Sequence, residues 1–135
     1  MKKLLIVVLA TIVFLGCKND SKPKDPLALA LVSGTWRVNN FLDDSIDHTA
    51  QFTGYSFTFY ENGELKAAKN SSEVKGSWSY QYTQGQLMMS LYFGPNPVLL
   101  DLNGNWEVNT VAPAEVGLLR LNYPVGTDVV GFLKN

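Results

Sequence analysis

The chain has 135 residues, with 11 basic and 12 acidic side chains and a net charge of −1. That balance, without a basic cluster, gives no electrostatic reason to expect nucleic acid. The length suits one domain behind a leader, and the lone cysteine excludes a disulfide within the chain.

At the N-terminus, Lys2 and Lys3 precede an apolar run, Leu4 to Leu15, broken only by Thr11. These twelve residues fall short of the roughly twenty that a membrane-spanning helix needs. They fit the helical apolar core of a signal peptide, with small Gly16 at the cleavage point. A short membrane anchor and an ordinary cleaved signal are the alternatives. Leu15-Gly16-Cys17 resembles the lipobox of bacterial lipoproteins, with Phe14 where that pattern usually carries Leu. The resemblance implies a signal peptide over residues 1–16, lipidation of the Cys17 sulfur, and acylation of the amine that cleavage frees. Each buried methylene contributes about 0.8 kcal/mol, so two or three acyl chains such as palmitate hold a protein on a membrane where one would not. A catalytic thiol would need a base and a pocket, and neither is in sight beside Cys17.

Residues 17–26 are charged, carry Pro23 and Pro26, and lack apolar periodicity, so they read as a solvated linker. Lys18 stands where many lipoproteins retained in the inner membrane carry Asp, which favours the outer membrane, at its periplasmic face or at the cell surface. Loss of residues 1–16 removes Lys2 and Lys3, leaving 9 basic against 12 acidic residues, a net charge of −3. The remaining domain, residues 27–135, is read as a monomer with one core.

The first predicted element of that domain is a helical turn. Asp25-Pro26 supplies a capping residue and a first-turn proline, Leu27 to Val32 the turn, and Gly34 the stop. From Thr35 the pattern changes to period two, the sign of half-buried strands. Thr35 to Phe41 sets Trp36 and Val38 against Arg37 and Asn39. Gly54 to Tyr60 puts Tyr55, Phe57 and Phe59 on one face. After Glu61-Asn62-Gly63, the strand Glu64 to Lys69 pairs Leu65 with Ala67. Val74 to Tyr82 alternates most clearly, with Trp78, Tyr80 and Tyr82 on one side. Leu87 to Phe93 follows a turn at Gln84-Gly85, and Pro97 to Gly104 is a second helical turn. Trp106 to Val111, Glu115 to Asn122 and Asp128 to Lys134 complete eight strands.

Eight antiparallel strands without a long crossover predict an all-β, up-and-down barrel, which removes sheet edges by closing on itself. A two-sheet sandwich is the alternative. Gly76, Gly117 and Gly131 fall inside strand patterns, as at barrel corners.

Gly34-Thr35-Trp36 matches the Gly-x-Trp motif of lipocalins, at the start of the first strand and just behind a helical turn. Phe52-Thr53-Gly54-Tyr55-Ser56-Phe57-Thr58-Phe59, Gly76-Ser77-Trp78-Ser79 and Leu102-Asn103-x-x-Trp106-x-Val108 resemble the lipocalin-like domain of secreted bacterial lipoproteins. The resemblance covers Gly34 to Asn135. It implies a cup closed at one end by Trp36, with an arginine from a late strand packed over that ring. Arg120 is the one arginine late enough, but it lies in the seventh strand and not after the eighth. The strands are also shorter than in large lipocalins.

A barrel of eight strands is either just filled by its side chains or holds one small ligand. The inward set comprises Trp36, Val38, Phe57, Phe59, Ala67, Trp78, Tyr80, Met89 and Leu91. Trp36, Phe57, Phe59, Trp78, Tyr80 and Met89 are the candidate ligand-binding residues if the barrel is hollow. Tyr80 and Tyr82 favour a cavity, because a buried phenol needs a hydrogen-bond partner. No catalytic motif appears, no cofactor or metal is expected, and the chain does not read as an enzyme. Asp43, Asp44, Asp47 and His48 could group around a hard cation, but a solvated acidic loop explains them more simply. Two functions remain. One is an anchored cup for a small apolar ligand. The other is a filled barrel that acts through exposed loops, with an apolar patch near Pro95 to Leu100.

Overall fold

The computed structural model describes residues 25–122 and 124–135. The expected signal peptide, Cys17 and most of the linker lie outside the described residues. Helix α1 (Pro26–Leu31) opens one residue inside the expected linker. Its cap is as predicted: the Asp25 carboxylate accepts from Leu27 N–H at 2.8 Å, and Pro26 sits in the first turn. Behind α1 come β1 (Trp36–Asp43), β2 (Ile46–Asp47), β3 (Ser56–Phe59), β4 (Glu64–Lys69), β5 (Ser72–Thr83), β6 (Gln86–Tyr92), β7 (Gly104–Ala112), β8 (Glu115–Leu121) and β9 (Thr127–Lys134).

Each strand pairs antiparallel with its neighbour in sequence from β3 to β9, and β9 returns to β1 from Trp36↔Lys134 to Asp43↔Asp128. The result is a closed eight-stranded antiparallel barrel, and β2 is a two-residue spur folded back on β1. That spur was not expected. It exists because Asp44 and Ser45 both take positive φ, the geometry of a tight hairpin turn. Gln84 and Gly85 make the same turn between β5 and β6, where the sequence predicts one.

Two irregularities shift the alternation. β1 bulges between Val38 and Asn40 against β9, and β7 bulges between Val108 and Thr110 against β8. The first turns Phe41 inward, where strict alternation would have placed Asn40. Opposite the bulges stand Gly131 and Gly117, and a Cβ at either would lie 2.6 Å from an Asn side-chain oxygen, Asn39 or Asn109. So these glycines make room for a neighbouring side chain at a bulge.

Both ends of the barrel are covered. At one end α1 buries Leu27, Ala30 and Leu31, and Trp36 Nε1 donates to Leu31 O at 3.0 Å. At the other end a short helical turn, Leu99–Leu102, buries Leu99 and Leu102, and Trp106 Nε1 donates to Leu102 O at 2.8 Å. A second turn, Thr49–Phe52, adds Phe52, packed edge to face on Phe41 at 5.1 Å. Among the described residues the apolar core runs from Leu27 to Phe132, so α1 and the barrel share one core.

Trp36 and Trp106 are equally buried end plugs, so replacing either with Ala should cost about 3–5 kcal/mol, the range for emptying a large aromatic from a core. Urea unfolding of the chain without its leader measures this. A loss below about 1 kcal/mol at one of them would show that its end closes without the ring.

Candidate functional site

The six candidate ligand-binding residues separate into two groups. Trp36, Phe57, Phe59 and Met89 are no more than 1% exposed, and they are packed inside the barrel. Phe57 and Phe59 both meet Phe132 edge to face, at 5.5 and 5.7 Å, and Phe59 meets Trp78 at 5.6 Å. Val38, Ala67 and Leu91 of the expected inward set are buried with them. Phe132 is the hub that the sequence reading omits from its site, although Asp128 to Lys134 alternates and points it inward with Val130. The interior is therefore occupied by the protein's own rings.

Trp78 and Tyr80 lie toward the α1 end. Trp78 is 6% exposed, donates Nε1 to Tyr60 O at 2.9 Å, and stacks on Tyr80 at 5.9 Å. Tyr80 itself is 36% exposed, and Tyr82 is still more open. The tyrosines thus do not report a buried cavity. β5 is twelve residues long and its last residues lie past the packed interior, so the inward-facing parity ends in solvent. The Tyr82 hydroxyl donates to Asp25 Oδ2 at 2.8 Å, which ties the start of α1 to this strand and pushes the phenol pKa up. Trp78 and Tyr80 line a small cleft of about 130 Å³ against Ala28 and Val32 of α1. A larger cleft, about 340 Å³, lies between α1 and the β7–β8 turn.

A cation does lie over Trp36, but it is a lysine and not the arginine that the resemblance implies. Lys134, near the end of β9, places Nζ 5.1 Å from the Trp36 ring centre. Arg120 instead lies over Trp106 at 4.1 Å, at the opposite end. There its guanidinium donates to Asp128 Oδ2 at 2.8 and 3.1 Å, to Asn103 O at 2.8 Å and to Asp101 O at 3.3 Å. These bonds join β8, β9 and the Leu99–Leu102 turn in one polar knot. Asp128 is 3% exposed, the one buried polar residue among those described. Burial opposes its charge, but hydrogen bonds from Asn122 and Arg120, the Arg120 charge and the Asp44 N–H together hold its carboxyl below the usual range.

In the acidic loop, Asp47 Oδ1 accepts from Thr49 N–H at 2.9 Å and from its hydroxyl at 2.6 Å. The Thr49 side-chain bond, then its backbone bond, lowers the Asp47 pKa. Thr49 Oγ1 in turn accepts from Phe41 N–H at 2.8 Å, so the loop fastens its helical turn to β1. At the same end, the patch expected near Pro95 to Leu100 is exposed at Pro95, Pro97 and Leu100, with Tyr92 beside it in sequence.

The geometry defines a closed, eight-stranded antiparallel barrel of lipocalin-like architecture, plugged at both ends. No protein-family model matches the chain, and no curated protein matches it. Among solved structures it is similar to a DUF4847 family protein from Bacteroides vulgatus, with a TM-score of 0.54 and 15% identity over 78% of this chain and 94% of that one. A lipocalin-like protein from Bacteroides uniformis aligns at a TM-score of 0.43 and 16% identity, over 77% of this chain and 98% of that one. At such identities the first likeness is one of fold.

The Asp128 carboxylate is stabilised as the anion, so its contribution is complete above the ordinary Asp value near 3.9 and is lost as pH falls through its lowered folded value. Asp128→Asn should cost about 2–3 kcal/mol at pH 7, somewhat below a fully buried pair because Arg120 keeps water and carbonyl partners. It should also flatten the acid limb of stability. Urea midpoints between pH 7 and 3 test both, and parallel curves for the two proteins would remove Asp128 from the account.

Proposed function

We propose that this is a lipid-anchored, lipocalin-like protein of the bacterial envelope that works through its outer surface, not as a carrier of ligand at its centre. The packed interior carries the second half of that reading: Phe57, Phe59, Met89 and Phe132 occupy the space a ligand would need. The first half rests on Leu15-Gly16-Cys17 and on the charged, proline-bearing stretch that follows it. Residues 17–25 reach at most about 30 Å when extended. They would hold the α1 end near the bilayer and leave the Arg120 end, with exposed Ile46, Leu100, Leu121 and Val125, facing away from it. Lys18 behind Cys17 supports outer-membrane placement, and no enzymatic role belongs to this reading.

A ligand inside the barrel is the second reading, favoured by the architecture, since barrels of this size can hold one small molecule. Here it would require Leu27 and Leu31 to withdraw from their end.

Cys17→Ser removes the sulfur that takes the acyl group, so palmitate labelling should disappear and the protein should stall as precursor or leave the membrane. Labelling at the wild-type level would defeat the anchor. For the interior, the Met89 methyl of the soluble chain is a direct reporter. Apolar small molecules should leave its carbon-13 resonance in place, whereas a saturable shift would put the ligand inside the barrel.

A further inference from the structure

We propose that the cleft between α1 and the β7–β8 turn is a binding site for a single-chain amphiphile with a carboxylate head. The site gives the outer-surface reading a ligand class, and it rests on that reading.

α1 has the sequence PLALAL, with no polar side chain on any face. Leu27, Ala30 and Leu31 point into the core, and Leu29 is left 50% exposed. One exposed leucine is ordinary on a protein surface. This one lines a cleft with Ala30 on its own side and with Val111 and Pro113 at the end of β7, where Val111 is exposed as well. The volume, about 340 Å³, lies at the lower end of small-molecule sites, and the walls are mostly apolar as such sites require.

The polar groups are few and alike in what they offer. Ser33 and Lys134 bring a hydroxyl and an ammonium to the lining, and no carboxylate is among the lining residues. Lys134 lies over the Trp36 ring, which fixes its position and partly dries it. Among the described residues no carboxylate is ion-paired with it, the pairs being Lys66–Glu73 and Arg120–Asp128. A positioned cation at an apolar cleft is complemented by one anionic head on an apolar tail. A carboxylate suits it better than a phosphate, because a single ammonium balances one charge and phosphate sites usually gather several donors or an arginine fork.

The test uses the soluble chain of residues 18–135 and two probes, dodecanoate with a terminal pyrene and the corresponding alcohol, which lacks the charge. The carboxylate should bind about tenfold more tightly than the alcohol, the worth of one charge-assisted hydrogen bond. Lys134→Gln should erase that preference and keep the alcohol's affinity, and Lys134→Arg should restore it. Val111→Asp should abolish binding of both probes, and Leu29→Gln gives the same reading should V111D fail to fold by circular dichroism. The Met89 methyl should stay silent throughout. Equal binding of the two probes, or binding indifferent to Val111→Asp and Leu29→Gln, overturns the site while leaving the outer-surface reading intact. A Met89 shift on binding overturns both. Adsorption to neutral phosphatidylcholine vesicles without binding of either probe would make the cleft a membrane contact, and the proposal would fall.

Discussion

Two tryptophans, one at each end of the barrel, set the constraint on which the rest of the structure depends. Each donates its indole N–H to the carbonyl that ends a preceding helical turn, Leu31 for Trp36 and Leu102 for Trp106. Each lies under a cation from the later strands, Lys134 or Arg120. A buried indole N–H without a partner would cost about 1–3 kcal/mol, a large share of what the ring's burial contributes. The carbonyl acceptor therefore fixes where each turn must dock, and the docked turn closes that end. The device is repeated in the sequence as Gly34-Thr35-Trp36-Arg37-Val38-Asn39 and Gly104-Asn105-Trp106-Glu107-Val108-Asn109. Even the bulges recur, each next to its Asn and each facing a glycine of the neighbouring strand. A cup needs one closed end and one open end. A chain that uses the same closure twice makes a sealed barrel.

Most of the architecture was legible because it follows from local rules. Asp25-Pro26 announces α1, Gln84-Gly85 announces a hairpin, and the alternation of Val74 to Tyr82 marks its strand and faces. What was not legible depended on partners distant in sequence. Period two cannot show that β1 bulges after Val38, because the bulge is set by pairing with β9. Nor can it show where a strand leaves the barrel, and so Tyr80 kept its parity but lost its burial. The resemblance to lipocalins led to a cation over Trp36, but an arginine was sought where a lysine does the same electrostatic work. Arg120 has the fork that Lys134 lacks, and it is used where a fork is needed, on Asp128 and two backbone carbonyls. For the site, the sequence supplied the inward residues but not whether they leave a space, since filling is a sum over all eight strands. Phe132, from the last of them, decides it.

The wall of the barrel is uneven, and the interior compensates for it. β1 is bonded to β9 along its length but to β3 through one registered pair, Trp36↔Phe57. Beyond that pair the Thr49–Phe52 turn and the β2 spur, not a strand, accompany β1. A sheet edge left this short of hydrogen bonds would be the first to separate. β3 is paired with β4 along its whole length, and what holds it to the β1 side is carried across the interior: Phe57 and Phe59 both pack on Phe132, which belongs to the strand on the far side of β1. The same rings therefore do two jobs, filling the barrel and bridging its weakest line. A ligand that displaced them would therefore have to break this bridge as well as the filling.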